Sequence, residues 1–224
     1  MVNKELKIQI PEPNIKRMTI AIKGTAPILF HKWSEKAIRM ILDKQLKKAQ
    51  KGREVRKPEE EYRVSFYYDS KKNIAFPALC VKQAIVNSAR NLEGVAMTLL
   101  RGAVFVEGDK DGLIPVLHKG KTLKLTKTNM LEDTEGRIVG YDKEMPEVIQ
   151  VARDMVRVGM GAADIRFRGQ VSDWEMNLMI KYNADVISAE QVSNLLQTAG
   201  FSSGLGEWRP ERNGDFGTFE VFNR

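Results

Sequence analysis

The chain has 224 residues, of which 42% are hydrophobic and 29% charged, an ordinary composition for a globular protein. Its length suits one large domain or two small ones, and the composition excludes a long disordered chain and a collagen-like repeat. Lys and Arg number 36 against 29 Asp and Glu, so the formal net charge is +7. A basic balance of this kind favours a polyanionic partner such as a nucleic acid.

Membrane insertion, secretion and bound metals are not expected from the sequence. No stretch approaches the ~20 apolar residues that a transmembrane helix needs, and residues 1–7 lack the apolar core of a secretory signal. The lone cysteine, Cys80, excludes an internal disulfide framework and a cysteine zinc site. Because no P-loop, catalytic-triad or HExxH pattern is readable, we expect a cytoplasmic protein with no cofactor, no metal and no membrane partner.

The chain begins with a predicted strand followed by a basic amphipathic helix. Residues 18–30 have a strand pattern, and Ser34 is positioned to cap a helix over residues 34–51. Cations such as Lys36 and Arg39 lie on one side of this helix, which is typical of a solvated face. The apolar residues recur at helical spacing and predict one buried face: Ile38, Ile41, Leu42, Leu46 and Ala49.

The next hundred residues predict short strands, a second helix and an unusual segment. The expected elements are a loop over 52–63, a strand over 64–68, a helix over about 78–91, and strands over 98–107 and 113–118 joined by a hairpin turn. The apolar face of the second helix is predicted to comprise Leu79, Val81, Ala84, Ile85 and Ala89. Residues 119–150 have little periodicity, so we predict that they form an insertion within the domain.

Strand and helix patterns return in the last third of the chain. Apolar residues alternate with polar ones over 165–171 and again over 174–182, which predicts two strands. Ser188 opens a capping box, and Gly200 is a plausible stop for the helix that follows. This order of elements predicts one α+β domain over residues 1–224. We expect a ferredoxin-like or RRM-like antiparallel sheet with helices on one face.

A glycine-rich loop over residues 200–217 precedes the final predicted strand. Glycine lets backbone N–H groups turn toward a phosphate, and Trp208, Arg209 and Arg212 add a stacking surface and two cations. This combination suits a nucleic-acid backbone, with Gly204 and Gly206 as candidate donors. The equally weighted alternative is a tight structural connection in which Trp208 covers the core.

Two features resemble the RAMP superfamily of CRISPR-associated proteins. One is the final helix with the loop Gly204-Leu205-Gly206 to Gly214-Asp215-Phe216-Gly217 and a closing strand. The other is the segment 74–85, which resembles a helix-opening motif of that group, although Gln83 stands where the family often has glycine between lysine and alanine. The resemblance implies an RRM-like core, and residues 119–150 would match the position of the thumb that the family inserts. It also implies subunits that polymerise along single-stranded RNA.

The whole chain also resembles a widespread group of phage-encoded proteins. The residues that carry this likeness are 24–31, 155–161 and 204–212. The likeness implies an origin in a phage-infected cell, and possible phage or CRISPR-type protein partners, rather than an activity.

His31 is the one candidate catalytic residue. The RAMP resemblance implies a role, because RNA-processing endonucleases of that superfamily use a histidine near the first helix as general base. His31 lies between the first strand and the first helix, and Lys32 and Lys36 follow it. A histidine beside cations can transfer protons on RNA without a metal. The alternative is a histidine that hydrogen-bonds to backbone at the start of a helix.

These patterns favour a non-enzymatic protein that binds single-stranded DNA or RNA and assembles as a homo-oligomer or filament along the strand. The predicted nucleic-acid-binding residues are Lys32, Lys36, Arg39, Lys82, Arg157, Arg166, Arg168, Gly204, Gly206, Trp208, Arg209 and Arg212. Two alternatives remain open. One is a metal-independent endoribonuclease that uses His31. The other is an interaction or structural protein that mimics a CRISPR backbone subunit.

Overall fold

A computed structural model describes residues 11–48, 55–158 and 161–222. The α-helices in these ranges are α1 (Glu35–Gln45), α2 (Pro58–Val64), α3 (Ala78–Ser88), α4 (Met97–Ala103) and α5 (Ala189–Ser202). The strands are β1 (Ile15–Gly24), β2 (Ile28–Leu29), β3 (Tyr67–Tyr68), β4 (Ile74–Pro77), β5 (Val104–Glu107), β6 (Leu113–Pro115), β7 (Leu117–His118), β8 (Lys121–Thr122), β9 (Thr128–Glu132), β10 (Ile138–Asp142), β11 (Ile149–Val158), β12 (Ala162–Val171), β13 (Glu175–Asn183) and β14 (Phe219–Phe222). Antiparallel sheets combined with helices confirm the predicted α+β class.

The largest sheet is built around β1 and β13, which pair antiparallel over nine residues from Ile15↔Asn183 to Lys23↔Glu175. β14 pairs with the other edge of β1, and β5 pairs with β13, giving the order β14-β1-β13-β5. β7 also pairs with β13, and β8 extends from β7. α3 lies between β1 and β5 in the chain, α5 lies between β13 and β14, and the two helices pack against each other.

The strongest sequence patterns form the core as predicted. The alternating apolar residues of the β13 region are all buried: Trp174, Met176, Leu178, Ile180 and Tyr182. Ser188 caps α5 in a complete capping box with Gln191. Alternation places one face of a strand inward, and the box satisfies two otherwise unpaired N–H groups. α5 continues past Gly200 to Ser202, so the predicted stop is wrong; Gly200 packs against Phe219 instead.

A second sheet has the order β2-β12-β11-β10-β9. β11 and β12 form a ribbon of ten paired residues each, from Ile149↔Val171 to Val158↔Ala162. Ile149 and Val171 are fully buried at one end, whereas Met155 is 79% exposed toward the other end. The ribbon therefore extends beyond the core. Within residues 119–150, β9 and β10 form a hairpin that adds two strands to this sheet.

Three local predictions are wrong, and each has a physical reason. Residues 58–64 form α2 rather than a loop, because Pro58 suits a first helical turn and Tyr62 is buried. Residues 97–103 form α4 rather than a strand, with Leu100 and Ala103 buried three positions apart. The turn over 108–112 joins strands of different sheets, since β5 pairs with β13 and β6 pairs with β4.

The predicted buried face of α1 is also wrong. Ser34 caps the helix by accepting a hydrogen bond from the Ala37 N–H, as expected, but none of the helix residues is buried. Its apolar side chains are exposed: Ile38 46%, Ile41 41%, Leu42 49% and, just beyond its end, Leu46 56%. Ala49 lies outside the described residues. Leu79, predicted in the core on α3, is likewise 65% exposed.

Candidate nucleic-acid interface

A cleft of about 170 Å³ brings together three segments that are distant in the sequence. His31 reaches it from the end of β2, Phe76 and Cys80 from β4 and the start of α3, and Gly206 and Arg209 from the C-terminal loop. These segments overlap three of the four regions that carry the sequence resemblances, and the fourth, 155–161, is not among the residues that line the cleft. The fold therefore places the candidate catalytic histidine beside the glycine-rich loop.

His31 and Glu207 form the polar pair at this cleft. His31 Nδ1 lies 3.0 Å from Glu207 Oε2, and both side chains are partly exposed. The hydrogen bond to His31 lowers the pKa of Glu207, and nearby Arg168 and Arg209 contribute in the same direction. A carboxylate that accepts from Nδ1–H holds the imidazole with Nε2 as the free basic nitrogen. The structure gives Nε2 no hydrogen-bond partner among the described residues.

Arg209 is held by the loop rather than free. Its guanidinium donates to Glu211 Oε2 at 3.1 Å and to the Gly206 carbonyl at 2.9 Å. Glu211 in turn accepts from Asn87 Nδ2 at 2.8 Å, which links the loop to α3. Arg209 therefore acts here as a structural cation whose charge is already compensated. Its charge also acts on Cys80 in the same cleft: burial raises the pKa of the Cys80 thiol, and Arg209 lowers it in part.

Most backbone N–H groups of the glycine-rich loop, that of Gly204 included, already bond to carbonyls of the protein, whereas the Gly206 N–H has no backbone acceptor among the described residues. Gly204 N–H donates to Ala199 O, Leu205 N–H to Gly217 O, and Glu207 N–H to Leu29 O. A Cβ at Gly217 would lie 1.7 Å from Leu205 O, and one at Gly206 would lie 2.4 Å from Leu29 O. This geometry favours the alternative interpretation of the loop, a tight structural connection, because the glycines permit close backbone packing.

Of the predicted residues in the first segment, Lys32 lies near a ring that lines the cleft. Lys32 Nζ lies 5.8 Å from the centroid of the Tyr67 ring, and Tyr67 lines the cleft. Arg39 lies on α1, which also carries Lys36. Ordered aromatic rings next to cations suit stacked bases.

The other loop candidates sit at the surface. Trp208 is 37% exposed, and its φ of 51° places it in the left-handed region. Arg212 is exposed and makes no ion pair with a described residue.

Lys82 points away from the cleft. Its ammonium donates to the Arg101 carbonyl at 2.8 Å and lies 3.6 Å from the centroid of the Phe105 ring. Phe105 belongs to β5, at the edge of the largest sheet. Lys82 and the cleft residues therefore do not form a single site.

The arginines of the ribbon, among them the predicted Arg157, Arg166 and Arg168, divide into two groups. Arg168 is buried and donates to Asp154 at 2.5 Å, and Arg166 pairs with Asp164 at 2.9 Å. Asp164 also pairs with Arg56, which binds Glu61. Arg166 and Arg168 are thus largely neutralised, and Arg168 is hidden from solvent.

Arg153 and Arg157 form the second group, on the opposite face of the ribbon. The register places them with Met155, opposite Phe167, Ile165 and Ala163. Both arginines are exposed, and neither makes an ion pair with a described residue.

Glu207 is the functional candidate that sequence reasoning missed. The motif Gly204-Leu205-Gly206-Glu207 and the motif ending in His31 are both visible in the sequence, but 176 positions separate the two side chains. Long-range backbone bonds bring them together: the Glu207 N–H donates to Leu29 O and the Gly217 N–H donates to Pro27 O.

Neither a metal-ion cluster nor a membrane-spanning helix is found among the described residues. In these ranges, three or more His, Cys, Asp or Glu side chains nowhere gather in a way that could hold a metal ion. None of the described helices combines the length and apolar character needed to cross a membrane.

Comparison with known proteins finds similarity at the level of structure and none at the level of sequence. No protein-family model matches the chain, and no curated protein matches it. A chain in a cryo-EM structure of the type III-B Cmr-beta bound to cognate target RNA is similar, with a TM-score of 0.49 and 9% sequence identity. The match covers 94% of this chain and 60% of that chain, so this chain spans less than two thirds of the neighbour.

Proposed function

We propose that this protein binds single-stranded nucleic acid and works as repeated copies along the strand, without being an enzyme. The observation that carries the proposal is the exposed end of the β11–β12 ribbon. Arg153 and Arg157 flank Met155 on one face, and the described residues offer neither arginine a carboxylate. Uncompensated guanidinium groups beside an exposed apolar side chain suit a phosphate backbone whose bases pack against protein.

The strand order supports a ferredoxin-like, RRM-like core for this proposal. In such a core, two strand-helix-strand units interlock, and the order along the sheet is fourth, first, third, second. The order β14-β1-β13-β5, with α3 and α5 as the connecting helices, has this form. We propose that residues 25–77 and 108–174 interrupt the core as insertions, of which 119–150 is one part.

The proposed mechanism relies on side chains rather than on loop amides. The structure shows no carboxylate partner among the described residues for five predicted cations: Lys32, Arg39, Lys82, Arg157 and Arg212. Lys82 is held instead by the Arg101 carbonyl and the Phe105 ring, so the other four are the ones proposed to contact phosphate. Tyr67 and Trp208 offer partly exposed rings for bases. The glycine-rich loop supports the site by holding its shape. We expect binding to weaken steeply with salt, because phosphate neutralisation releases counterions.

An electrophoretic shift with labelled single-stranded DNA, single-stranded RNA and duplex tests the proposal. The variant Arg153→Ala/Arg157→Ala should weaken binding and flatten the dependence of log K on log salt by about 1 to 2. The matched control is Lys71→Ala/Lys72→Ala, which removes the same charge from an exposed turn elsewhere. If both variants weakened nucleic-acid binding equally, the loss would be explained by net charge alone. That result would contradict a binding site on the ribbon. A stable oligomer that ignores all three nucleic acids would favour a structural or interaction protein instead.

A metal-independent endoribonuclease is the second candidate, favoured by the His31–Glu207 pair. We propose for this case that Nε2 of His31 removes the proton of a 2′-hydroxyl. The resulting 2′-oxygen attacks the adjacent phosphorus, the bond to the 5′-oxygen breaks, and a proton from water completes the 5′-hydroxyl. The products are a 2′,3′-cyclic phosphate and a 5′-hydroxyl end. Glu207 would orient the imidazole through its hydrogen bond with Nδ1.

RNA incubated with the protein in EDTA separates the two candidates. If the protein is a nuclease, His31→Ala should abolish cleavage, and His118→Ala should leave it intact. His118 is a suitable control because its Nδ1 lies 3.0 Å from the Asp173 carbonyl, outside the cleft. Equal product from wild type and His31→Ala would exclude the nuclease.

A further inference from the structure

The apolar face of α1 is an exposed surface that the proposed site does not use. Ile38, Ile41, Leu42 and Leu46 recur at three- and four-residue spacing and are each at least 41% exposed. No other described element makes an extensive contact with α1. An isolated helix of 11 residues is marginal in water, so its stability depends on a surface that covers the apolar face. Six cations and two carboxylates over residues 32–48 make that partner surface acidic by complementarity.

The hairpin β9–β10 of the same chain has the matching properties. Leu131 and Val139 are directly opposite one another in the hairpin register, and they are 50% and 41% exposed. The hairpin tip, residues 132–137, carries three carboxylates and one guanidinium. Asp133 and Glu135 share that guanidinium, Arg137, whereas Glu132 makes no ion pair with a described residue. The hairpin therefore presents an apolar pair next to a net acidic tip. These features complement α1, which presents an apolar face next to basic side chains.

We propose that α1 of one copy docks on the β9–β10 hairpin of a second copy. The two surfaces differ, so the contact is heterologous: every docked copy still presents one free α1 and one free hairpin. Such contacts build an open chain or a closed ring rather than a two-fold dimer. The inference rests on the proposed function, since it supplies the contact between copies that lie side by side along a strand.

The mixing of two variants tests this contact in the absence of nucleic acid. Ile41→Ser/Leu42→Ser removes the helix surface, and Leu131→Ser/Val139→Ser removes the hairpin surface. The wild type should form species larger than a dimer as its concentration rises, measured by mass photometry and sedimentation velocity on the full chain. Each variant alone should need at least ~10-fold more protein to associate, about 1.4 kcal/mol per contact. The equimolar mixture should form dimers and nothing longer, because only one intact pair of surfaces remains.

A matched control and a second pair of variants keep the test decisive. Leu79→Ser/Leu99→Ser removes two leucines that are 65% and 52% exposed elsewhere, and it should associate like the wild type. If the hairpin serines impair folding by circular dichroism, Glu132→Lys/Glu135→Lys tests the same surface by charge. Lys44→Glu/Lys47→Glu in the partner copy should then restore association. A monomeric wild type, or a hairpin variant that assembles normally, would overturn the contact.

The failure of this contact can be distinguished from failure of the proposed function. If the wild type binds a short oligonucleotide but never associates, the contact is wrong and the proposed nucleic-acid binding stands. If the wild type associates as described but binds no nucleic acid at low salt, the function is wrong and the contact stands.

Discussion

Close backbone contacts in the C-terminal loop require glycine at particular positions, of which Gly217 is the clearest example. Gly217 has φ +68°, and its N–H donates to Pro27 O at 2.8 Å. An added Cβ there would overlap Leu205 O. The loop joins α5 to β14 and also carries Glu207, so its shape positions the candidate site.

Replacement of Gly217 by alanine should therefore cost far more than the left-handed backbone alone. We expect Gly217→Ala to lower the free energy of unfolding by about 3 kcal/mol, from left-handed strain plus steric overlap. Gly112→Ala is the control, because Gly112 has φ +72° with nothing within 4 Å of an added Cβ. It should cost about 1 kcal/mol. Urea unfolding measures both, and equal losses would contradict the steric explanation.

The Glu207 carboxylate gives a pH-dependent contribution to stability. Its pKa is lowered in the folded state, chiefly by the hydrogen bond to His31. The contribution is therefore present above the unfolded pKa, about 4.3, and is lost as the pH falls through the folded value. The Tm advantage of wild type over Glu207→Gln should narrow below about pH 4. Glu132→Gln controls for the loss of one exposed charge. A Tm difference that is constant from pH 3 to 7 would contradict the pair's role.

Loss of the N-cap should have different effects in α5, which packs in the core, and in α1, which does not. Ser188 and Ser34 both accept from the N–H three residues later, but α5 buries Val192, Leu195 and Leu196 whereas α1 buries nothing. Ser188→Ala should lower the free energy of unfolding by about 1 kcal/mol. Ser34→Ala should leave global unfolding unchanged and reduce only the helical circular dichroism signal. Equal losses in urea unfolding would show that α1 belongs to the cooperative core.

Helices and strands were predictable from sequence where the apolar spacing and the capping residues indicated the same element. The capping box and spacing of α5 specified both its start and its buried face, and Trp174 to Tyr182 specified a half-buried strand by alternation. The same spacing in α1 predicted burial that the single chain does not provide, because periodicity shows that a helix has an apolar face and not what covers it. α4 was missed because Thr98 to Val106 is apolar enough for either element.

At the scale of the whole molecule, the α+β class followed from the order of elements, but the site did not. Its assembly depends on long-range contacts: His31 meets Glu207 across 176 positions, and Asn87 meets Glu211 across 124. Arg166 and Arg168 show the same limit on charge. As sequence they are two cations on one strand face, yet Asp154 and Asp164 neutralise them in the fold. The net charge of +7 therefore does not locate a binding site by itself. The cations that form ion pairs in the fold must first be excluded from the candidates.

The dissociation constant of the wild-type protein for a labelled single strand, measured across about 50 to 400 mM NaCl, tests the central claim most directly. Fluorescence anisotropy with single-stranded DNA, single-stranded RNA and duplex in parallel provides the comparison. The account predicts tighter binding to a single strand than to duplex, with log K falling linearly against log salt. No binding at the lowest salt, or binding that is indifferent to salt, would contradict it.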